Sequence, residues 1–225
     1  MAAPRVDRGR LAVDGQFWGL SRRRSATLLA IPLAGAALLG LTALVRPLYD
    51  ALVREDSLLE WLQVASYVAA FFLAGRSALR LHGWVAAAFG VFALGCLLAA
   101  GEELSWGQRL FGLDTPDGLE ALNNQEELNV HDVVEVQGKV NLAVALASLY
   151  GLVAPWLVRR RVLVAPPNAL NCAFLTMLAY ASARSAFFPH PGHALAKFSE
   201  WPETCFAGTL AVFALLVWRR TRAAK

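Results

Sequence analysis

A chain of 225 residues that is 57% hydrophobic and only 17% charged, with a mean hydropathy of +0.46, has too little polar side chain to cover a soluble domain. The formal charge is +4, but Lys and Arg fall in short segments between apolar runs rather than on one basic face, which argues against a nucleic-acid partner. Cys96, Cys172 and Cys205 lie inside or beside apolar runs with no CxxC spacing, so they read as small buried hydrophobes rather than a disulfide or metal framework.

In chain order, residues 1–25 form a basic tail containing Arg5, Arg8, Arg10 and the run Arg22, Arg23, Arg24. Ser21-Arg22-Arg23 is also similar to a twin-arginine export signal, but no small-residue cleavage site follows it and more apolar runs do. Six apolar runs come next, approximately 26–45, 58–73, 83–101, 140–158, 169–188 and 204–218. At a helical rise of ~1.5 Å per residue each reaches roughly 24 to 30 Å, enough to cross a hydrocarbon core with help from flanking residues. Backbone groups facing lipid must be satisfied internally, which leaves helices as the spanning structure. The expected fold is therefore all-α: a polytopic membrane helix bundle of about six transmembrane helices. It forms a single integral membrane domain over 1–225, with a polar outer loop at 102–139 between the third and fourth spans.

Sidedness follows from charge. An even number of spans returns both termini to one side, and placing them in the cytoplasm puts 15 of the 21 Lys and Arg there, with only Asp7 and Asp14 of the 17 acids. Tryptophan supports the same arrangement, because Trp61, Trp106 and Trp201 fall at outer ends while Trp84, Trp156 and Trp218 fall at inner ends.

The residues that could carry chemistry collect on the outer side. Glu102 and Glu103 follow the third apolar run with no spacer, where burial of a carboxylate is costly unless a partner compensates. If helix continues, Glu102, Ser105, Trp106 and Arg109 share a face at spacings of three and four, while Glu103 turns roughly 100° away. The plain alternative is a Glu102 to Arg109 ladder that solvates a helix end. Further on, Asn123, Asn124, Gln125, Glu127, Asn129, His131 and Asp132 form a second cluster. Glu127 and His131 are four apart, suited to one metal ion or one proton path on a helix, yet the period-two alternation equally suits a strand. A third group, His190, His193, Lys197, Glu200 and Glu203, precedes the last run among prolines 189, 191 and 202. Glu60 opens the second run beside Trp61. Arg184 lies in the outer half of the fifth run, where it needs an acid, and Glu102 or Glu103 is the expected partner.

The stretch EELSWGQRLFG, followed by NNQEELNVHD and preceded by REDSLLEW, resembles a family of uncharacterised bacterial integral membrane proteins with the pattern E-E-x-S-W-G-Q-R-x-F-G and N-x-Q-x-E-x-N-x-H. The resemblance covers roughly residues 48–139 and implies a multi-span protein of the bacterial cytoplasmic membrane. It brings no assigned reaction. Histidines, acids and a serine at a membrane boundary are also similar in type to the ceramidase-like hydrolases, from which this chain departs in helix count and histidine spacing.

Two functions fit these residues. One is a metal-assisted enzyme acting on a lipid headgroup or lipid-linked substrate at the outer leaflet, with its Glu/His/Asn site on the extracytoplasmic face. Glu102, Glu103, Ser105, Arg109 and Glu127 would then do the chemistry, and His131, His190 and His193 would hold a divalent, zinc-like ion. Glu60, Trp106, Gln108, Asn123, Gln125, Asn129, Lys197 and Glu200 would bind substrate. The other is a non-catalytic component, an ion or proton pathway or a subunit of an envelope assembly. That reading asks for polar residues through the depth of the bundle, where the sequence offers chiefly Gln63, Ser66, Asn141, Asn171 and Thr176.

Overall fold

A computed structural model describes residues 17–54, 57–116, 118, 128–129, 134–157, 163–187 and 198–223. Among these residues the fold is all-helical, with no strand. The helices are α1 (Arg22–Thr42), α2 (Arg46–Val53), α3 (Leu58–Ala78), α4 (Gly83–Glu103), the one-turn α5 (Gln108–Phe111), α6 (Val134–Leu157), α7 (Asn171–Phe187) and α8 (Glu200–Ala223). Among the described residues, five segments are long and apolar enough to cross a membrane by length and composition: 22–42, 46–78 (taking in α2), 83–103, 138–157 and 200–223. The remaining expected span, the fifth, corresponds to α7, whose 17 residues reach about 25 Å, and the residues that follow it lie outside the described set.

Local sequence sets the starts of these helices. Ser21 caps α1 by accepting from the Arg24 amide, and Ser57 caps α3 by accepting from the Glu60 amide. Ser57 and Glu60 have the S-x-x-E spacing of a capping box, so Glu60 has a local reason to be where it is. Glu200 and Glu203 occupy the first turn of α8, where the positive end of the helix dipole favours them.

α3 lies along both α4 and α8, and α6 pairs with α7, which in turn touches α8 and α1. Close approach depends on small residues. Ala70 and Ala74 of α3 and Ala207 and Ala214 of α8 are fully buried, which lets these backbones come together without a hydrophobic driving force between them. α6 meets α7 at Gly151, where an added Cβ would lie 2.6 Å from the Phe174 ring. α1 is held by Trp201, whose indole nitrogen donates to the carbonyl of Pro32 at 2.8 Å, with the ring laid over Gly35. Trp201→Phe removes both the donor and the part of the indole that covers Gly35, so more than the ~1 kcal/mol of one hydrogen bond should be lost, read as a lower unfolding midpoint in detergent.

The outer surfaces of these helices are apolar: Leu79, Leu157, Leu44 and Val91 are almost wholly exposed, and only a small share of the α1 and α4 spans is buried. A surface of that kind requires an apolar solvent. The N-terminal segment extends the core further than a free tail would. Trp18 is buried with its ring 5.9 Å from Phe213, and Arg220 donates to the Phe17 carbonyl while stacking 3.9 Å over the Phe17 ring. Residues 1–16 of the tail lie outside the described set. α6 also starts at Val134, six residues ahead of the apolar run expected at 140.

Candidate functional site at the acidic end of the bundle

α3 and α4 form an antiparallel hairpin, and α8 runs parallel to α3, so the start of α3, the end of α4 and the start of α8 share one end of the bundle. Glu60, Glu103, Glu200 and Glu203 are brought there together, the other three lying within electrostatic range of Glu200. Gln63, one turn below Glu60, is fully buried between α3 and α8. Its Nε2 donates to the Glu200 carboxylate at 3.0 Å and to the Glu200 carbonyl at 3.2 Å. Its Oε1 is buried without a hydrogen-bond partner among the described residues. Tyr67, one turn further down, is buried within range of Glu103 and Glu203. Thr204 ties the start of α8 down by donating to the carbonyls of Glu200 and Leu59.

Arg184, expected to pair with Glu102 or Glu103, instead donates to the hydroxyl of Tyr180, which is also bonded to Ser199 and sits within range of Glu203. Among the described residues, Arg184 stands at the α8 side of the four carboxylates. Desolvated carboxylates at this density are relieved by nearby positive charge or by taking up a proton, and three of the four gain from the N-terminal dipoles of α3 and α8. Glu103, at the C-terminal end of α4, receives none from its own helix.

The helix does not continue through Arg109, so the condition for that shared face is not met. α4 ends at Glu103, and the backbone turns left-handed at Ser105 (φ 46°) and Trp106 (φ 53°) before Gly107 (φ 87°). Two consecutive non-glycine residues in that region cost of order 1 kcal/mol or more each, so the turn persists only because its surroundings hold it. The Trp106 ring folds back over Gly101, and its Nε1 donates to Glu102 at 2.8 Å. Glu102 and Trp106 are thus brought together, as their spacing implied, but by a reversal of the chain. Glu102 is directed to the indole and Glu103 to the carboxylate cluster, a division of labour between the adjacent acids.

Ser105 is fully buried and accepts from Asn129 Nδ2 at 3.4 Å, and Asn129 is itself fully buried. This geometry makes Ser105 a structural pin rather than an exposed nucleophile. Gln108 joins two distant parts of the loop, its Nε2 bonding Thr115 and its Oε1 accepting from the Leu128 amide at 2.6 Å. Gln108→Ala would orphan that amide, and a loss of about 1–3 kcal/mol is expected. Limited proteolysis between residues 112 and 134 should quicken accordingly.

The Arg109 side chain and residues Asn123, Gln125, Glu127, His131, His190, His193 and Lys197 lie outside the described set. Among the described residues no group of three His, Cys, Asp or Glu has the geometry to hold a metal ion. Gln63 and Tyr67 also belong to this end of the bundle, although neither lies in a loop or at a helix end. The available signal was the spacing 60, 63, 67, a polar stripe on one face of an otherwise apolar helix.

α4 and α6 do not pack along one another. Between them is a cavity of about 730 Å³, walled by small residues of α4 (Ala88, Gly95, Ala99) and α6 (Ala143, Ala147). Phe174, Phe206 and Phe213 form its floor, and Tyr67 also lines it. From Ala88 to Ala99 the groove follows about 17 Å of helix, close to the depth of one leaflet of a ~30 Å hydrocarbon core. Through Tyr67 the apolar groove meets the acidic cluster.

No family model, curated protein or solved structure matches the chain. The assignment of a role therefore rests on this geometry and on the motif segment that forms the left-handed turn.

Proposed function

We propose that the chain is an integral membrane protein that draws a hydrocarbon chain of a lipid or lipid-linked molecule into the groove between α4 and α6. The polar head is then held at the acidic end, where a carboxylate exchanges a proton with it. The observation that carries this reading is Tyr67, which lines the apolar groove and lies within range of Glu103 and Glu203. Apolar walls with a few converging polar groups at one end are the usual form of a site for an amphiphile. Glu200, fixed by Gln63, is the residue best placed for proton transfer, and Glu103 is its neighbour across the α4 end.

The ion-pathway alternative is less well supported. Below Gln63 and Tyr67 the buried face of α3 continues with Ala70 and Ala74 before Ser77, and the groove floor is aromatic, so among the described residues no continuous polar track leads away from the acidic end. In this reading α7 completes a six-span bundle, both termini are cytoplasmic and the acidic end faces outward, in accord with the distribution of Arg and Lys. Reporter fusions at Pro116 and at the C-terminus should report opposite sides.

The enzymatic part is tested by comparing lipid extracts of cells expressing the wild type and Glu200→Gln. The wild type should convert a lipid species at a rate about 10²–10⁴-fold above the variant, the contribution typical of a positioned acid or base. Identical lipid profiles at equal expression would remove catalysis from the proposal.

A further inference from the structure

We infer that residues 164–166 form a stop for the hydrocarbon chain, so that the groove selects chains by length. This rests on the reading of the groove as a site for such a chain, and it asks nothing of the head group. Both walls run on past the groove: α4 extends beyond Ala88 to Gly83, and α6 beyond Tyr150 to Leu157. The two helices do not pack along one another, so their convergence does not close it. α7 climbs toward the acidic end, from Phe174 against Phe206 to Tyr180 bonded to Ser199. α6 packs along α7, is joined to it by a short connection and runs the other way. Tyr150 is therefore the lining residue of α6 farthest from the acidic end, and there the wall passes to Val164 and Pro166.

Within hydrocarbon, backbone outside a helix is tolerated only where protein buries it and satisfies its polar groups. Residues 163–167 are non-helical, and Ala165, Pro166 and Pro167 are buried. The Val164 carbonyl accepts from the Tyr150 hydroxyl at 2.8 Å, and the Pro167 carbonyl accepts from the Leu170 amide at 2.9 Å. Pro166 and Pro167 have no N–H to satisfy, and their rings fix φ. The far end of the groove is thus a braced wall, with Tyr150 as the residue that positions it. Between Ala99 and Ala88 about 17 Å of helix is available. A chain advancing about 1.3 Å per carbon, as C–C bonds of ~1.5 Å dictate, fills that length with about 13 carbons. A longer chain must bend or leave carbons outside.

The test uses the full-length protein in detergent micelles with an equimolar series of lysophosphatidylglycerols whose chains run from decanoyl to eicosanoyl. Retained lipid is counted by native mass spectrometry and divided by partition into protein-free micelles. Retention should peak near ~13 carbons and be about tenfold lower for the eicosanoyl chain. Tyr150→Phe keeps the ring and frees the Val164 carbonyl, while Pro166→Ala trims the wall itself. In both, the peak should move at least about two carbons longer. Wild-type retention independent of chain length would overturn the length limit and leave the groove reading intact. Retention of none of the series would overturn the groove reading itself. A peak that stays in place in both variants would remove the stop from residues 164–166. Should both variants fail to fold, Ala88→Leu, at the same end on α4, should move the peak about two carbons shorter. An unmoved peak in that variant would count against a closed end.

Discussion

Tryptophan at both Ala143 and Ala147 is expected to abolish lipid retention in the groove while leaving the bundle folded. Both alanines belong to the groove wall on α6, and both are exposed because α4 stands away from α6 at this level. Two indoles fill space that no side chain of the protein now occupies, so the change differs from overpacking a closed core and its cost in stability should stay below about 1.5 kcal/mol. The lipid would lose the apolar burial of its chain, worth ~0.8 kcal/mol per methylene against water, although far less against the bilayer that competes for it. A drop in retained lipid of at least about tenfold corresponds to only ~1.4 kcal/mol of that burial. Native mass spectrometry of the double variant checks it, and unchanged retention would show that lipid bound to the protein sits elsewhere.

Gly151→Val should produce the opposite pattern, a loss of stability that precedes any loss of binding. A Cβ at this position would stand 2.6 Å from three carbons of the Phe174 ring, and Phe174 is buried against Phe206 in the groove floor. The ring, packed against Phe206, must be pushed toward the groove it floors or α6 and α7 must separate. Overpacking of this sort costs about 1–3 kcal/mol, and a β-branched residue belongs at the upper end. Thermal unfolding in detergent should show the loss. If Gly151→Val unfolds at the wild-type midpoint, the close approach of α6 to α7 is not as described.

How much of this was readable in the sequence depends on the range of the forces involved. Helix positions were legible because lipid-facing surface must be apolar along its whole length, a one-dimensional property. Ends were less so: α6 begins among Val134, Glu135 and Val136, where polar and apolar residues mix and the hydropathy boundary blurs. The collection of acids at one end was also legible, since consecutive antiparallel spans return Glu60, Glu103 and Glu200 to the same side by counting alone. The left-handed turn at Ser105 and Trp106 was not legible. Nothing in SWGQR favours two non-glycine residues at positive φ, and the turn is held by tertiary contacts through Gly101, Glu102 and Asn129. Gln63 was visible as a polar residue within a span, but its bond to Glu200 joins residues 137 positions apart. The groove depends on which helices fail to touch, which no single stretch of sequence records.

The left-handed turn also assigns work to the motif that contains it. By folding Trp106 over Gly101, it turns the chain away from the helix axis immediately after Glu103 and leaves that carboxylate facing α3 and α8. Gly101→Leu would displace the indole, whose atoms lie about 2.9 Å from the added Cβ. The expected result is a weaker preference among lipid head groups with total retention preserved, because the groove walls begin at Ala99 and below.

The most direct test of the account is photocrosslinking of the full-length protein in nanodiscs with a phospholipid that carries a diazirine midway along its acyl chain, followed by peptide mapping. Adducts should concentrate on α4 between Ala88 and Ala99 and on α6 between Ala143 and Tyr150, well above those on the exposed apolar surface of α1 around Leu33 and Leu41. Adducts distributed around the perimeter in proportion to exposed apolar area would contradict it, and the site at the acidic end would then lose its ligand.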